Sequence, residues 1–273
     1  MKKLGFIGAG NMAEALARGL IERRVFKPAE IIASDVALER RRKLKRALKV
    51  ATTADNLEVL REARAIVLAV KPQTIDEVLT QLGAELSGNA AARLFISIAA
   101  GVTLERLCRA LGRRARMIRV MPNAPAMVGH GMAALVRSAG ASKADEAFAL
   151  RIFKAVGDAV ALRDEKMLDA VTALSGSGPA YVYLFVKALA DAGASEGIPR
   201  ELAIRMALKT IRGAEEVMRQ SGRDLAELIR MVASPGGTTE AALRRFAEAG
   251  FSDIVARAVH AAADRSRELG RGN

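Results

Sequence analysis

The feature that most restricts the fold is a glycine-rich stretch near the start of the chain, "LGFIGAGNMAEALARGL". Residues 4–7 predict a strand and residues 12–23 predict a helix, so Gly8 and Gly10 stand at the turn between them and Ala13 lies in the first turn of the helix. The first glycine permits a tight turn, the second lets the backbone approach a pyrophosphate, and the small third residue keeps the helix close to the sheet. Since the helix N-terminus offers free N–H groups to phosphates, the stretch predicts a dinucleotide site.

Short β-rich runs alternate with helical patterns up to residue 162. This alternation predicts an α/β fold, with a doubly wound, mostly parallel sheet and helices on both faces. The nearly continuous apolar run "AIVLAV" is typical of a strand buried on both sides. The predicted strands cover residues 4–7, 31–33, 65–70, 94–98, 117–120, 133–136 and 160–162, and the helices cover residues 12–23, 37–48, 57–64, 75–82, 104–111 and 144–156.

The strand signal stops after residue 162, and the rest of the chain has helical patterns only. We therefore predict a dinucleotide-binding domain at residues 1–162 and an all-helical domain at residues 163–273. The helical domain is dominated by alanine and would form a thin core, so we expect much of its apolar surface to be buried against a second copy. A self-sufficient helical subdomain is the alternative. The predicted helices cover residues 167–174, 179–196, 200–220, 225–232, 239–249 and 253–269.

The formal net charge is +13, which raises the question of a nucleic-acid partner. The densest basic run, at residues 40–43, falls on a short amphipathic helix with Leu38, Leu44 and Leu48, and no aromatic residue interrupts it. We interpret this run as a solvated helix face and expect no nucleic-acid partner. A positive field also accelerates the encounter with anionic cofactors and substrates.

Cysteine usage and hydropathy indicate the compartment. Cys108 is the single cysteine, so no intrachain disulfide can form, which favours a reducing cytoplasm. Its helical spacing from Leu104, Leu107 and Leu111 predicts a buried thiol rather than a nucleophile. No apolar run approaches the roughly 20 residues that a membrane helix needs, and no signal peptide is recognised. We expect a cytoplasmic protein that does not interact with membranes.

Further cofactor candidates follow other predicted strands, because strand ends face the ligand crevice of such a sheet. Ser34 and Asp35 follow the second strand, where an acidic residue usually meets the adenosine ribose hydroxyls and favours NADH. Ser34 and the arginines at 40–42 would instead admit the 2′-phosphate of NADPH, so both cofactors stay open. Asp35 could also serve as a helix N-cap. "AVKPQ", "SIAAG" and "MPNAP" end three more strands, and the first of them places Lys71 over the cofactor.

No strong set of general acids and bases is visible. His130 and His260 are the two histidines, and neither belongs to a metal-spacing or nucleophile motif, so no metal site is expected. Reduction of a ketone leaves an alkoxide that needs a proton donor, whereas reduction of a protonated imine leaves a neutral amine. The sequence therefore favours an imine as the group that accepts a hydride.

The motifs together resemble those of the pyrroline-5-carboxylate reductases, which catalyse the last step of proline biosynthesis. The resemblance covers nearly the whole chain and is carried by "IGAGNMAEAL", "AVKPQ", "SIAAGV", "RVMPNAPAMVGHG", "DAVTALSGSGPAYVYLF" and "VASPGGTTEAAL", in the family's order and spacing. It implies an N-terminal Rossmann domain and a C-terminal all-helical dimerisation domain that interlocks with a second subunit, with larger rings of dimers in some members. Asp35 departs from the small or basic residues that suit NADPH in some members.

The resemblance also assigns residues to ligands. Ser234, Gly237, Thr238 and Thr239 match positions that hold the carboxylate and ring nitrogen of 1-pyrroline-5-carboxylate. Thr239 is the predicted catalytic residue, which orients the ring nitrogen while the imine carbon accepts a hydride from NADPH or NADH. The segment "SGSGPAY" resembles a helix segment that faces the nicotinamide, and a kink made for packing is the alternative. The predicted cofactor-binding residues are Ile7, Gly8, Ala9, Gly10, Asn11, Met12, Ser34, Asp35, Asn56, Ala69, Val70, Lys71, Pro72, Ala100 and Gly101.

Three other functions are alternatives to this one. A related NAD(P)-dependent reductase that acts on another cyclic imine stays open as an alternative. The β-hydroxyacid-type dehydrogenases use a helix lysine as proton donor with an asparagine four residues on, but here Ala170 follows Lys166 and Asp191 follows Lys187. A non-catalytic protein that senses NAD or binds nucleic acid would leave the late Pro-Gly-Gly-Thr-Thr run unexplained.

Overall fold

A single sheet organises the first part of the computed structural model, which describes residues 1–86 and 92–271. Its strands are β1 (Lys2–Ile7), β2 (Ile31–Ser34), β3 (Ala51–Thr53), β4 (Ala63–Leu68), β5 (Leu94–Ser97), β6 (Arg116–Met121), β7 (Gly131–Arg137) and β8 (Gly157–Ala161). They lie in the order β3-β2-β1-β4-β5-β6-β7-β8, and each neighbouring pair is parallel except β6 and β7. The predicted mostly parallel sheet is confirmed.

Helices cover both faces of this sheet, and each face has its own apolar core. On β1, Phe6 is buried in one cluster with Leu16, and the next residue, Ile7, is buried in a second cluster with Leu79. Adjacent strand residues point to opposite faces, so this distribution requires cover on both sides. The helices of this part are α1 (Asn11–Glu22), α2 (Leu38–Leu48), α3 (Asn56–Glu62), α4 (Ile75–Leu86), α5 (Leu104–Leu111), α6 (Lys143–Lys154) and α7 (Met167–Val171).

Several predicted boundaries were wrong. The sequence pattern missed β3, because three partly buried residues are too few to show a period of two. The helix predicted at residues 57–64 ends at Glu62, because Ala63 is fully buried and pairs with Lys2 as the first residue of β4. β4 ends at Leu68 rather than residue 70, and the last strand spans Gly157–Ala161 rather than residues 160–162.

The remaining helices are α8 (Gly178–Ser195), α9 (Arg200–Ser221), α10 (Leu225–Val232), α11 (Thr238–Glu248) and α12 (Phe251–Arg271). A π-helical turn, Thr172–Gly176, precedes α8. The chain forms two compact units: Met1–Ser177 together with Ala262–Asn273, and Gly178–Ala261. We call them the sheet unit and the helical unit.

The compact units differ from the predicted division at residue 163. Leu168 of α7 is fully buried in the second core cluster, so the chain beyond residue 163 still belongs to the sheet unit. The buried Ser266 hydroxyl of α12 donates a 2.7 Å hydrogen bond to Asp169, which draws the C-terminal segment into the same unit. The functional domains at residues 1–162 and 163–273 stay a prediction.

The helical unit buries mainly alanine. Ala190, Ala203 and Ala207 are among its few buried residues, and a Cβ on Gly193 of α8 would lie only 3.3 Å from Ala203 Cβ of α9. None of the described helices is long and apolar enough to cross a membrane. Nine of the large apolar side chains in this unit are at least half exposed: Tyr183, Leu184, Met206, Leu208, Val217, Leu225, Ile229, Met231 and Val232.

Candidate active site

The glycine turn at the end of β1 has no room for any other residue. Gly8 has φ +97°, in the left-handed region, and its N–H donates to Ser34 O at 2.8 Å. A Cβ on Gly8 would lie 2.7 Å from Ala69 O and 2.8 Å from Ala69 C. Both of these are backbone atoms that cannot swing away, so Gly8 allows β1 and the loop after β4 to approach each other.

The N-terminus of α1 opens directly from this turn. Gly10 is the N-cap, and no side chain of the described residues bonds to the first N–H groups of α1. Ala13 is buried against the sheet, which keeps the helix close to it. The uncapped N–H groups and the positive end of the helix dipole form a site for an anion such as a pyrophosphate.

Asp35 links the glycine turn to the loop that follows β2. Its Oδ2 accepts the Ala9 N–H at 2.9 Å, and its Oδ1 accepts the Ala37 N–H at 2.9 Å. Asp35 is therefore not the N-cap of α2, because Ala37 occupies that position.

Ser34, the last residue of β2, lies behind Asn56 and is not exposed at the surface. It is fully buried, and its Oγ donates to Asn56 Oδ1 at 2.7 Å, while Asn56 Nδ2 donates to Gln81 Oε1 at 3.0 Å. Ser34 thus supports Asn56 from below, and its predicted contact with the cofactor stays a prediction.

A cleft of about 620 Å³ runs along the carboxyl ends of the parallel strands in the sheet unit. It contains seven of the predicted cofactor residues: Gly8, Gly10, Asp35, Asn56, Ala69, Val70 and Lys71. The other predicted residues, Ile7, Ala9, Asn11, Met12, Ser34, Pro72, Ala100 and Gly101, do not line it. Arg40, one of the arginines that the sequence placed near a 2′-phosphate, also lines it. Its remaining lining residues, which the sequence did not reveal, are Val36, Ala54, Thr74, Glu77, Val78 and Gln81.

Basic side chains of α2 lie beside the glycine turn. Arg40 Nη1 lies 3.6 Å from the position that a Cβ on Gly10 would occupy. Lys43 Nζ lies 2.8 Å from Glu14 Oε2, and together with Arg18 it lowers the pKa of Glu14 below its ordinary value despite burial. Because these partners offset the charge of Glu14, the side of the cleft formed by Arg40 stays positive and suits an anionic ligand.

The loop after β5 is closed by the end of α12. Gly101 has φ +73°, and a Cβ at this position would lie 2.9 Å from Leu269 Cβ. The predicted cofactor residues Ala100 and Gly101 are therefore held from behind by the C-terminal helix. No local pattern predicts this role of Leu269, because Gly101 is far away along the chain.

Asn123, which follows β6, is another residue that sequence reasoning did not single out. Its Nδ2 donates to Ser175 O and to Ser175 Oγ, both at 3.2 Å, and its Oδ1 accepts the Met132 N–H at 2.8 Å. It joins the "MPNAP" and "SGSGPAY" segments, which lie about 50 residues apart along the chain.

The predicted substrate residues lie together at the N-terminus of α11 in the helical unit. Gly237 is the N-cap, and its N–H donates to Ser234 O at 3.0 Å. Gly236 has φ +70°, and its N–H donates to Glu240 Oε2 at 2.6 Å. No side chain of the described residues caps α11, so its first N–H groups, with the exposed Ser234 and Thr238 and the half-buried Thr239, form a second place for an anion.

Both parts of the chain match families of known proteins. The family described as "Pyrroline-5-carboxylate reductase dimerisation" matches residues 165–269, and the family described as "NADP oxidoreductase coenzyme F420-dependent" matches residues 3–101. Among solved structures, a pyrroline-5-carboxylate reductase from Coxiella burnetii has a TM-score of 0.91 at 34% identity, and covers 98% of both chains. The Plasmodium falciparum pyrroline carboxylate reductase with NADP bound has a TM-score of 0.87 at 33% identity, also over 98% of both chains.

Full-length relatives agree with these matches. The Arabidopsis thaliana pyrroline-5-carboxylate reductase is 41% identical over 98% of this chain and 95% of its own length. The Pseudomonas aeruginosa enzyme of the same name is 42% identical over 98% of this chain and 96% of its own length. The chain belongs to the pyrroline-5-carboxylate reductase family.

Proposed function

We propose that this protein reduces 1-pyrroline-5-carboxylate to L-proline, the last step of proline biosynthesis, with NADH or NADPH as the cofactor. The observation that carries the proposal is structural: two helices, α1 and α11, each follow a glycine turn and have no side chain capping their N-terminus. The chain that contains them aligns with pyrroline-5-carboxylate reductases over nearly its full length. One turn suits the pyrophosphate of a dinucleotide and the other suits the carboxylate of the substrate.

The chain's own residues fit a dinucleotide. The backbone of Gly8 to Met12 would hold the pyrophosphate, because Gly8 and Gly10 leave space where a Cβ would otherwise stand. Asp35 would accept the ribose hydroxyls, and Lys71 would lie over the cofactor. The remaining predicted residues would line or support this site: Ile7, Ser34, Asn56, Ala69, Val70, Pro72, Ala100 and Gly101. When bound, the reduced nicotinamide supplies the hydride.

At the second turn, the chain would bind and orient the substrate. The backbone turn from Gly237 to Thr239 would hold the carboxylate through the N–H groups of Thr238 and Thr239, with Ser234 beside them, because the Gly237 N–H already bonds to Ser234 O. The Thr239 hydroxyl would hold the ring nitrogen. The imine carbon gains the hydride and the nitrogen keeps its proton, so the product is a neutral secondary amine. Since no general acid is required, rate enhancement would come largely from proximity and orientation.

We also propose that the protein is a homo-oligomer whose helical units pack against each other, with a ring of dimers as a larger form. Residues 165–269 match a family that is described as a dimerisation domain. The apolar side chains exposed on the helical unit would be buried by contact with a second subunit. In the assembly, Ser234–Thr239 would complete the active site of the partner. We also propose a cytoplasmic location, because a single cysteine suits a reducing compartment.

The decisive experiment follows NADH and NADPH oxidation separately after addition of 1-pyrroline-5-carboxylate to the purified protein. We expect oxidation of at least one cofactor and formation of proline in equal amount. Oxidation of neither would reject the proposed function. A preference for a six-membered cyclic imine would instead favour the related imine reductase, and oxidation of a β-hydroxyacid with NAD⁺ would favour the other dehydrogenase class.

A further inference from the structure

Asn123 connects three segments of the sheet unit through one side chain. Its Nδ2 donates to Ser175 O and Ser175 Oγ at 3.2 Å, and its Oδ1 accepts the Met132 N–H at 2.8 Å. Because a backbone N–H can only donate, the bond to Met132 fixes which end of the amide is oxygen. The donor end must therefore face Ser175.

Ser175 lies in the π-helical turn, where the ordinary helical bonding pattern is broken. The Ser177 N–H bonds to Thr172 O, five residues back, at 2.8 Å. In an α-helix, Ser175 O would accept from the residue four positions on, but that residue is Pro179, which has no N–H. Asn123 supplies a donor at this carbonyl from another part of the chain, so the asparagine and the proline are complementary.

The position of this turn relative to the glycine turn follows from the sheet order. Asn123 follows β6, which is separated from β1 by β4 and β5 at the same carboxyl edge. Three strand spacings amount to about 14 Å. Asp35, the candidate ribose partner, lies on the opposite side of β1, at the end of β2. A dinucleotide with its pyrophosphate at Gly8 would therefore extend its nicotinamide toward β5 and β6.

We propose that Asn123 is a positioning residue for hydride transfer. By supplying the donor that Pro179 lacks, it holds the π-helical turn in place beside the nicotinamide end of the cleft, and thereby fixes the reacting geometry without contacting the cofactor. This role rests on the proposed function. π-Helical turns are frequent at functional sites, and a displacement of about 1 Å at a reacting centre can cost about 100-fold in rate.

Asn123→Asp is the sharpest substitution. The aspartate keeps an oxygen for the Met132 N–H but places a second oxygen, in place of a donor, against Ser175 O. We expect kcat to fall by about tenfold or more, with little change in the Kd of the reduced cofactor. A deuterated reduced cofactor should show a larger isotope effect on kcat in the variant, because hydride transfer then limits the rate.

Ser138→Ala is the matched control at the other end of β6. The buried Ser138 hydroxyl donates to Ala115 O at 3.0 Å and accepts the Met117 N–H at 3.2 Å, so it also bridges two segments. We expect this variant to lower Tm without changing kcat per folded molecule or the isotope effect. If Asn123→Asp behaves in the same way, Asn123 is merely structural and the proposal is overturned.

The coupling between Asn123 and Pro179 is tested without activity. Asn123→Ala should lower Tm, and Pro179→Ala in that background should restore part of the loss, because an N–H then becomes available to Ser175 O. Strictly additive effects on Tm would overturn the pairing. An inactive wild type would reject the proposed reaction but leave this result standing, so the two failures can be told apart.

Discussion

The Asp35 carboxylate accepts the Ala9 backbone N–H at 2.9 Å, so the acid at the end of β2 braces the glycine turn at the end of β1. The other carboxylate oxygen accepts the Ala37 N–H. The side chain that would select the cofactor is thus also part of the scaffold that holds it. Substitution of Asp35 therefore tests specificity and stability together.

Asp35→Ser should raise the ratio of kcat/KM for NADPH to kcat/KM for NADH by about tenfold. A carboxylate beside the ribose repels a 2′-phosphate, and about 1.4 kcal/mol of such repulsion corresponds to tenfold. Steady-state kinetics with both cofactors measure the ratio. Asp164→Ser is the matched control, because Asp164 makes the same kind of local bond, to the Lys166 N–H at 2.9 Å. An equal change of the ratio in both variants would exclude a specific role for Asp35.

Gly8→Ala should abolish dinucleotide binding and lower the free energy of unfolding by about 2 kcal/mol or more. The added Cβ would meet the backbone of Ala69, and an L side chain is strained at φ +97°. Gly112→Ala separates the two causes, since Gly112 has φ +109° but nothing within 4 Å of the added Cβ. Denaturant unfolding should show a cost of about 1 kcal/mol for this control, with cofactor binding intact. Retained binding in Gly8→Ala would contradict the site.

Thr239→Ala should lose about 100-fold in kcat with little change in Tm, because the hydroxyl is assigned to substrate orientation rather than to packing. Thr239 is only half buried at the start of α11. Thr210→Ala, at an exposed position of α9, serves as the control for removal of a helical threonine. Wild-type turnover in Thr239→Ala would remove this residue from the mechanism.

Stability should fall in acid through the pair of Arg116 and Asp145. Burial opposes ionisation of Asp145, but hydrogen bonds from Arg116 and Ser142 outweigh it, and the pKa of Asp145 lies below its ordinary value of 3.8. A carboxyl group whose pKa is lower in the folded state than in the unfolded state makes its full contribution to stability at pH values above its unfolded-state pKa. This contribution is lost as the pH falls through the folded-state pKa.

Asp145→Asn should therefore cost about 1–3 kcal/mol of unfolding free energy at pH 7, and the difference from wild type should shrink below about pH 4. Urea unfolding at a series of pH values measures both the cost at pH 7 and its decrease in acid. Glu248→Gln removes an exposed pair with Arg245 and should change stability by less than about 1 kcal/mol at any pH. A constant difference for Asp145→Asn across the pH range would contradict the assignment.

Leu184→Asp should dissociate the proposed homo-oligomer and reduce activity. Leu184 on α8 is 68% exposed, and burial of a leucine against a partner stabilises by about 1.5–3 kcal/mol, which a charge would reverse. Sedimentation velocity gives the mass, and assays at the same concentration give the activity. Val160→Asp, on β8 of the sheet unit, should leave the mass unchanged. A Leu184→Asp protein of wild-type mass would show that α8 does not form the interface at this point.

The sequence predicted the parts of the fold that depend on local patterns. Gly8 and Gly10 were recognisable because a strand, a tight turn and a helix follow each other within a few residues. The strand β3 was missed because Ala51–Thr53 is short and only partly buried, so it carries no clear period. The helix predicted at residues 57–64 was too long, because pairing with β1, rather than local propensity, converts Ala63 to a strand residue.

The residues that helices contribute to the cleft were harder to predict than those at the strand ends. The predicted residues follow strand ends, whereas Glu77 and Gln81 reach the cleft as side chains of α4, a helix whose rotation the sequence does not specify. The role of Asn123 depends on Ser175, 52 residues further along the chain. Pro179 has no N–H, and the donor that Asn123 supplies in its place becomes apparent only in three dimensions.

The end of α12 has a consequence for synthesis on the ribosome. Ser266 bonds to Asp169, and Leu269 packs against Gly101, so the sheet unit includes residues that are translated after the whole helical unit. Domains generally fold in the order in which they emerge. Here the sheet unit is not complete until the last segment of α12 has been translated. In nascent chains that stall within Gly178–Ala261, the sheet unit would lack this segment, and the loop at Gly101 would lack its contact with Leu269.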